Sequence, residues 1–246
     1  CPRNHGRTIQ SGWGLAISTS FWALVNGTLN RVLRRIDLRD QEGPLGVHLP
    51  RPDLAAQAPT SAVREIISEV REGGDSSIRE LTNRFDDVDI ALPLVPESEL
   101  EQAWKSLGSE LADALQFAYN RILYFHEQEA GQSHEVMQDD IKVTSVPQPV
   151  ERAGLYVPGG LAAYPSTVLM TALPAKAAGV KELLLCTPPD PSGEVDQVVL
   201  AAAHLCGVTE VYKIGGAQAV AAMAYGSETI RPVDVIAGPG NTWVAT

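Results

Sequence analysis

Past residue 153 the sequence repeats one unit: a short apolar run, a glycine-bearing loop, then a stretch of helical periodicity. Between residues 60 and 131 the apolar positions recur at helical spacing throughout. These two observations predict an α/β protein, with an amino-terminal helical region followed by an incomplete Rossmann-like parallel sheet. The implied organisation is an atypical leader over 1–31 that is not part of the fold, a helical region over 32–135, and a Rossmann-like α/β domain over 136–246, truncated at its C-terminal end.

In the helical region, "SAVREIISEVREGG" places Val63, Ile66, Ile67 and Val70 at i, i+3, i+4, i+7 spacing and stops at Gly73-Gly74. "DSSIRELTNRFDDV" starts a second helix, with Asp75 or Ser76 as N-cap and Glu80 placed for a capping box. After a proline-containing break come "ESELEQAWKSL" and the longer "SELADALQFAYNRILYFHEQEAG". The longer one carries Leu111, Leu115, Phe117, Ala118, Ile122 and Phe125 on a broad apolar stripe. Next, "VMQDDIKVTSVPQPVERAGLYV" alternates apolar positions and holds two prolines, as edge strands or an extended connector would.

The strands of the α/β part are "AGLYV", "KELLLC", "EVYKI" and "VDVIA". The helices between them are "YPSTVLMTALPAKAAG", "EVDQVVLAAAHLCG" and "AQAVAAMAYGS". Strands that are apolar at nearly every position are expected where both sheet faces are covered, and the intervening helices imply right-handed crossovers.

Composition narrows the function classes. Of the 246 residues, 44% are hydrophobic and 20% charged, as in a folded globular protein, and the formal net charge of −11 opposes nonspecific binding to nucleic acid or anionic membranes. Cys1, Cys186 and Cys206 make no disulfide framework, which suits a reducing cytoplasm. The leader sets Arg3 and Arg7 before "SGWGLAISTSFWALVNG", but Ser18, Thr19 and Ser20 interrupt the apolar stretch and it is too short and polar to span a bilayer. The expectation is a segment upstream of the natural start or a poorly ordered extension, with the sequon Asn26-Gly27-Thr28 irrelevant unless the chain is secreted.

Three loops share one design. "YVPGG" (156–160), "IGGAQ" (214–218) and "AGPGN" (237–241) each leave the carboxyl end of a strand and lead toward a helix. In a parallel sheet they lie along one edge, where such folds bind ligands. Beside them stand Tyr156, Gln218 and Asn241. Any one loop reads equally as a tight turn, with Gln218 or Asn241 capping the helix that follows. Three in succession point to a site for a phosphate-bearing ligand such as a nucleotide. No G-x-G-x-x-G is present, so spacing alone names no cofactor.

No metal or nucleophile constellation stands out. His126 reads as a helix-surface residue, and His204 and Cys206, two apart on a helix, point to different faces. His5, His48 and His134 lack ligand neighbours in sequence, and the pairs Asp86-Asp87 and Asp139-Asp140 read as solvated. There is no nucleophile elbow and no H-E-x-x-H.

The segments "ERAGLYVPGGLAAYPSTVLMTALPAKAAGV", "GVTEVYKIGGAQAVAAMAYGSETI" and "VDVIAGPGNTWVAT", in this order, resemble the first half of histidinol dehydrogenase. "RRIDLRD" (34–40) is similar to the family's amino-terminal start, and "NRILYFHEQ" to the end of its helical region. The resemblance covers residues 32 to 246. It implies a cytoplasmic, homodimeric, NAD- and zinc-dependent enzyme of histidine biosynthesis, which oxidises L-histidinol to L-histidine by two hydride transfers with an aldehyde between them.

Carried over by position, the family's NAD contacts fall on Tyr156, Gln218 and Asn241. The family's zinc ligands (a glutamine, two histidines and an aspartate) and its catalytic glutamate–histidine pair have no counterpart in this chain. With Cys1 in place of Met and a helix barely begun at Thr246, a partial sequence that binds NAD weakly and turns nothing over is expected. A related dehydrogenase acting on another alcohol, such as a sulfonated diol, and a non-catalytic nucleotide-binding module are the alternatives.

Overall fold

The structure, a computed structural model, describes residues 36–39, 43–49, 59–91, 93–159 and 162–246. The leader over 1–31, with its sequon and His5, lies outside the described residues. The chain divides into two compact units, Cys1–Asp53 and Leu54–Thr246. Among the described residues of the first, a 3-10 turn spans Leu45–Val47 and Arg39 pairs with Asp37.

The second unit opens with α1 (Thr60–Asp86), which breaks at Gly74, where φ 52 and ψ −132 leave the helical region. The two helices expected on either side of the glycine pair are therefore present, end to end. The second half is not capped locally by Glu80: the Asp75 amide donates to Glu228 Oε2 at 2.7 Å, and Thr229 Oγ1 donates to Asp75 Oδ1 at 3.1 Å. A charged side chain distant in sequence serves as the cap.

Next come β1 (Leu94–Val95), α2 (Glu97–Ser106) and α3 (Ser109–Glu129). The break read between helices thus contains a short strand. The hairpin β2 (His134–Gln138) and β3 (Ile141–Ser145) follows, exposed along its whole length. Asp139 and Asp140 form its turn with φ of 47 and 63, the left-handed pair that matches strand twist, and both are solvated as expected.

The rest alternates: β4 (Arg152–Tyr156), α4 (Pro165–Ala177), β5 (Glu182–Thr187), α5 (Gln197–Cys206), β6 (Glu210–Lys213), α6 (Gly216–Tyr225), β7 (Val235–Ala237) and α7 (Thr242–Ala245). Helix α5 is bounded as its sequence dictates, with the Asp196 carboxylate accepting from the Val198 amide at 2.8 Å and Gly207 left-handed at φ 77.

The sheet order is β1-β6-β5-β4-β7. All pairings are parallel except that of β1 with β6. Strand residues alternate between two cores. Leu183, Leu185 and Val211 pack with α2, α4 and α5, whereas Leu184, Cys186 and Tyr212 pack with α1 and α6. The α1–α3 helices thus serve as covering layers, which is why β5 is apolar on both faces.

Two expectations about burial are corrected. The broad stripe on α3 divides: Leu115 is buried, and Ala118 and Ile122 partly so, but Phe117 and Phe125 are 62% and 57% exposed. The helix packs along one side against α4, and Phe117 lies two residues, roughly 200°, around from Leu115. Strand β7, expected to be buried on both faces, is an edge strand with Val235 exposed.

Candidate nucleotide site

At the carboxyl ends of β4, β6 and β7, the three glycine loops enclose a cavity of about 640 Å³. Tyr156, Gln218 and Asn241 all line it, so residues up to 85 positions apart in sequence meet at one sheet edge. Gly160, at the end of the first loop, lies outside the described residues.

Tyr156 ends β4 and is buried. Its hydroxyl accepts a hydrogen bond from the Gly216 amide at 3.0 Å, tying the first loop to the second. Burial pushes this phenol above its ordinary range, so it stays protonated at neutral pH.

Gln218 occupies the first turn of α6 at 1% exposure, and its Nε2 has no hydrogen-bond partner among the described residues. Of the two ways to read this residue, helix cap or ligand contact, the cap is not what forms: no side chain caps α6. Asn241 does cap, its Oδ1 accepting from the Trp243 and Val244 amides at 3.0 and 3.2 Å. With its oxygen engaged, Asn241 has its amide hydrogens to offer a ligand.

The third loop reaches the first through Gly238. At φ 154, a Cβ there would lie 2.1 Å from the Tyr156 carbonyl oxygen, so only glycine lets the two chains come this close. The cavity also takes in the start of α6, where Gly216, Ala217 and Gln218 present the positive end of the helix. An orphaned, buried amide donor beside a helix N-terminus fits a phosphate-bearing nucleotide.

Sequence reasoning missed the wall contributed by α1, namely Ile66, Phe85 and Asp86. Asp86, read as half of a solvated pair, instead lines the cavity, with Oδ2 buried and unpartnered and the carboxyl pushed upward by burial. Its neighbour Asp87 is exposed and left-handed at φ 56, as a solvated helix end should be. The missed signal was positional. Asp86 continues the i, i+4 row of Ile78 and Thr82, both fully buried, so it sits on the inward face.

Among the described residues no group of three or more His, Cys, Asp or Glu side chains could hold a metal. His126 pairs with Glu129 at 2.9 Å on the helix surface, and His134 is exposed. Cys206 is buried and His204 partly so. The residues present do not fit a zinc centre.

The histidinol dehydrogenase family model matches residues 49–246. A histidinol dehydrogenase of Parasynechococcus marenigrum is 49% identical over 187 residues, covering 73% of this chain and 41% of the relative. One from Syntrophotalea carbinolica is 45% identical over 217 residues, or 87% and 50%. The crystal structure of histidinol dehydrogenase from Elizabethkingia anophelis matches with a TM-score of 0.72 at 31% identity, covering 92% of this chain and 47% of that one. The chain spans about half the length of the relatives it matches, between 41% and 50% for these two curated ones.

Proposed function

The chain belongs to the histidinol dehydrogenase family, and from that membership we propose that it carries the NAD-contacting half of an enzyme that oxidises L-histidinol to L-histidine. The reaction runs through histidinaldehyde, in two hydride transfers that close histidine biosynthesis. The observation that supports this reading is the convergence of Tyr156, Gln218 and Asn241 on one cavity at the carboxyl edge of the sheet.

NAD held there would supply the hydride acceptor for the reaction. The chain's own residues bind and orient. The α6 N-terminus and the Gln218 amide would hold the anionic part of the cofactor, Asn241 would offer a second amide, and Tyr156 holds the first two loops at fixed separation. Zinc belongs to the family's chemistry, but the described residues do not fit it.

A cytoplasmic homodimer is part of the same proposal. Cys186 and Cys206 are buried free thiols. No helix among the described residues is long and apolar enough to cross a membrane. Phe117 and Phe125 on α3 and Val136, Met137 and Val143 on the hairpin leave apolar surface for a second copy.

Hydride transfer needs the nicotinamide and the substrate carbon aligned by both halves of a site. Calorimetric titration of the 246-residue chain with NAD should therefore show saturable binding, while incubation with histidinol and NAD yields no NADH. No NAD binding would overturn the cofactor assignment. NADH formed at a rate typical of complete enzymes would overturn the division of labour.

A further inference from the structure

The cavity's polar groups are sorted by charge. Among the described residues Asp86 is the one acid that lines it, and no lysine or arginine does. The anion-binding capacity lies instead in the α6 N-terminus and the Gln218 Nε2 donors.

Among the described residues nothing stabilises Asp86 as a carboxylate. Its Oδ2 is buried with no donor to meet it. It ends α1, where the helix presents its negative pole, and only the left-handed Asp87 follows. Burial raises its carboxyl above the ordinary aspartate range, because the charged form loses water without gaining a partner. A buried acceptor without an internal donor is matched by a ligand that brings one. A phosphate brings none and would be repelled, whereas a sugar hydroxyl donates. Vicinal ribose hydroxyls present two donors to one carboxylate.

We propose that Asp86 is a specificity-determining residue, accepting hydrogen bonds from the hydroxyls of a cofactor ribose and excluding a dinucleotide phosphorylated at that position. The inference rests on the reading of this cavity as the NAD site. A 2′-phosphate would meet the Asp86 carboxylate with no basic side chain among the described lining residues to neutralise it, so the site favours NAD over NADP through repulsion as well as attraction.

The test is calorimetric titration of the wild-type chain, Asp86→Asn and Asp86→Ser with NAD, NADH and NADP. Gln218→Ala serves as a control, and melting curves report folding. Asparagine keeps the size and removes the charge, so the fold is retained. Serine repeats the comparison without the donor that asparagine adds.

The wild type should bind NAD and NADH well above NADP. Both Asp86 variants should lose about tenfold or more for NAD and NADH alike, and the preference over NADP should collapse. Gln218→Ala should weaken all three without moving their ratio. An unchanged NAD to NADP ratio in folded Asp86 variants would overturn the inference while leaving the cofactor reading intact. Loss of NAD with NADH binding retained would place the carboxylate against the nicotinamide cation and overturn the ribose assignment. Failure of the wild type to bind NAD or NADH would remove the cofactor reading itself, and the inference with it.

Discussion

Gln218 and Tyr156 are both buried, yet only one of them is satisfied. The Tyr156 hydroxyl holds the Gly216 amide at 3.0 Å, while the Gln218 Nε2 is desolvated with no acceptor among the described residues. An orphaned buried donor costs about 1–3 kcal/mol, which a folded protein retains where the group has work to do on a ligand. Methionine has nearly the same shape and no donor to leave unpaired. Gln218→Met should therefore raise the stability of the unliganded chain by about 1 kcal/mol, read as a higher urea midpoint, and weaken NAD binding in calorimetry. A midpoint that falls would mean the glutamine has an internal partner after all. The same contrast explains what could be read in advance. That Tyr156, Gln218 and Asn241 line one cavity is legible in the sequence because glycine loops at strand ends have local signatures. That Asp86 joins them is not, because "FDDV" looks like any polar helix end until α1 is laid against α6.

At the scale of elements, α1 shows how a local pattern can predict a break correctly and its chemistry wrongly. The glycine pair announces the interruption. Its cap comes from Glu228, which no window around residue 75 contains. The Asp75 amide holds the Glu228 carboxyl below the usual glutamate range, in keeping with a charge-assisted bond across the loop that precedes β7. The break also orients the second half of the helix, which ends in the cavity wall at Phe85 and Asp86. Gly74→Ala would place a Cβ 2.2 Å from Glu228 Oε2 and hold a side chain at φ 52 with ψ −132, a region that only glycine occupies freely. The substitution should destabilise the chain by about 2 kcal/mol and weaken NAD binding in step, as the Asp86 wall shifts. Equal stability to wild type in urea denaturation would show that the break carries no such constraint. The exposed half of the α3 stripe was likewise illegible, since periodicity gives the apolar positions but not how many neighbours a helix will meet.

Across the whole molecule, the two edges of the sheet have opposite tasks. The carboxyl edge is open and holds the cavity. The amino edge is closed by ions, with Arg152, Glu182 and Glu210 as the first residues of β4, β5 and β6. Arg152 is buried at 4% exposure and donates to Glu210 through Nη1 and Nη2, both at 2.7 Å, and to Glu182 through Nη1 at 3.0 Å. Arg231 also pairs with Glu182, and the Tyr212 hydroxyl donates to Glu210 at 3.1 Å. Three strands distant in sequence are pinned in register by one guanidinium, so the cluster acts on the fold rather than on any single element. Removing one partner of a buried pair leaves the other uncompensated. Glu210→Gln should cost about 3 kcal/mol, toward the lower end for such pairs because Glu182 still meets Arg152. The pH dependence follows from the bond to Arg152, which holds the Glu210 carboxyl below the ordinary value of 4.5. Between that value and the lowered one, the unfolded chain binds a proton that the folded chain does not, so stability rises with pH there. The contribution of Glu210 is thus fully present above the ordinary value and drains away as pH falls through the folded one. Urea midpoints measured from neutral pH downward should decline more steeply for wild type than for Glu210→Gln, the two curves converging in acid. Parallel curves would show that the sheet's amino edge is not held by this charge.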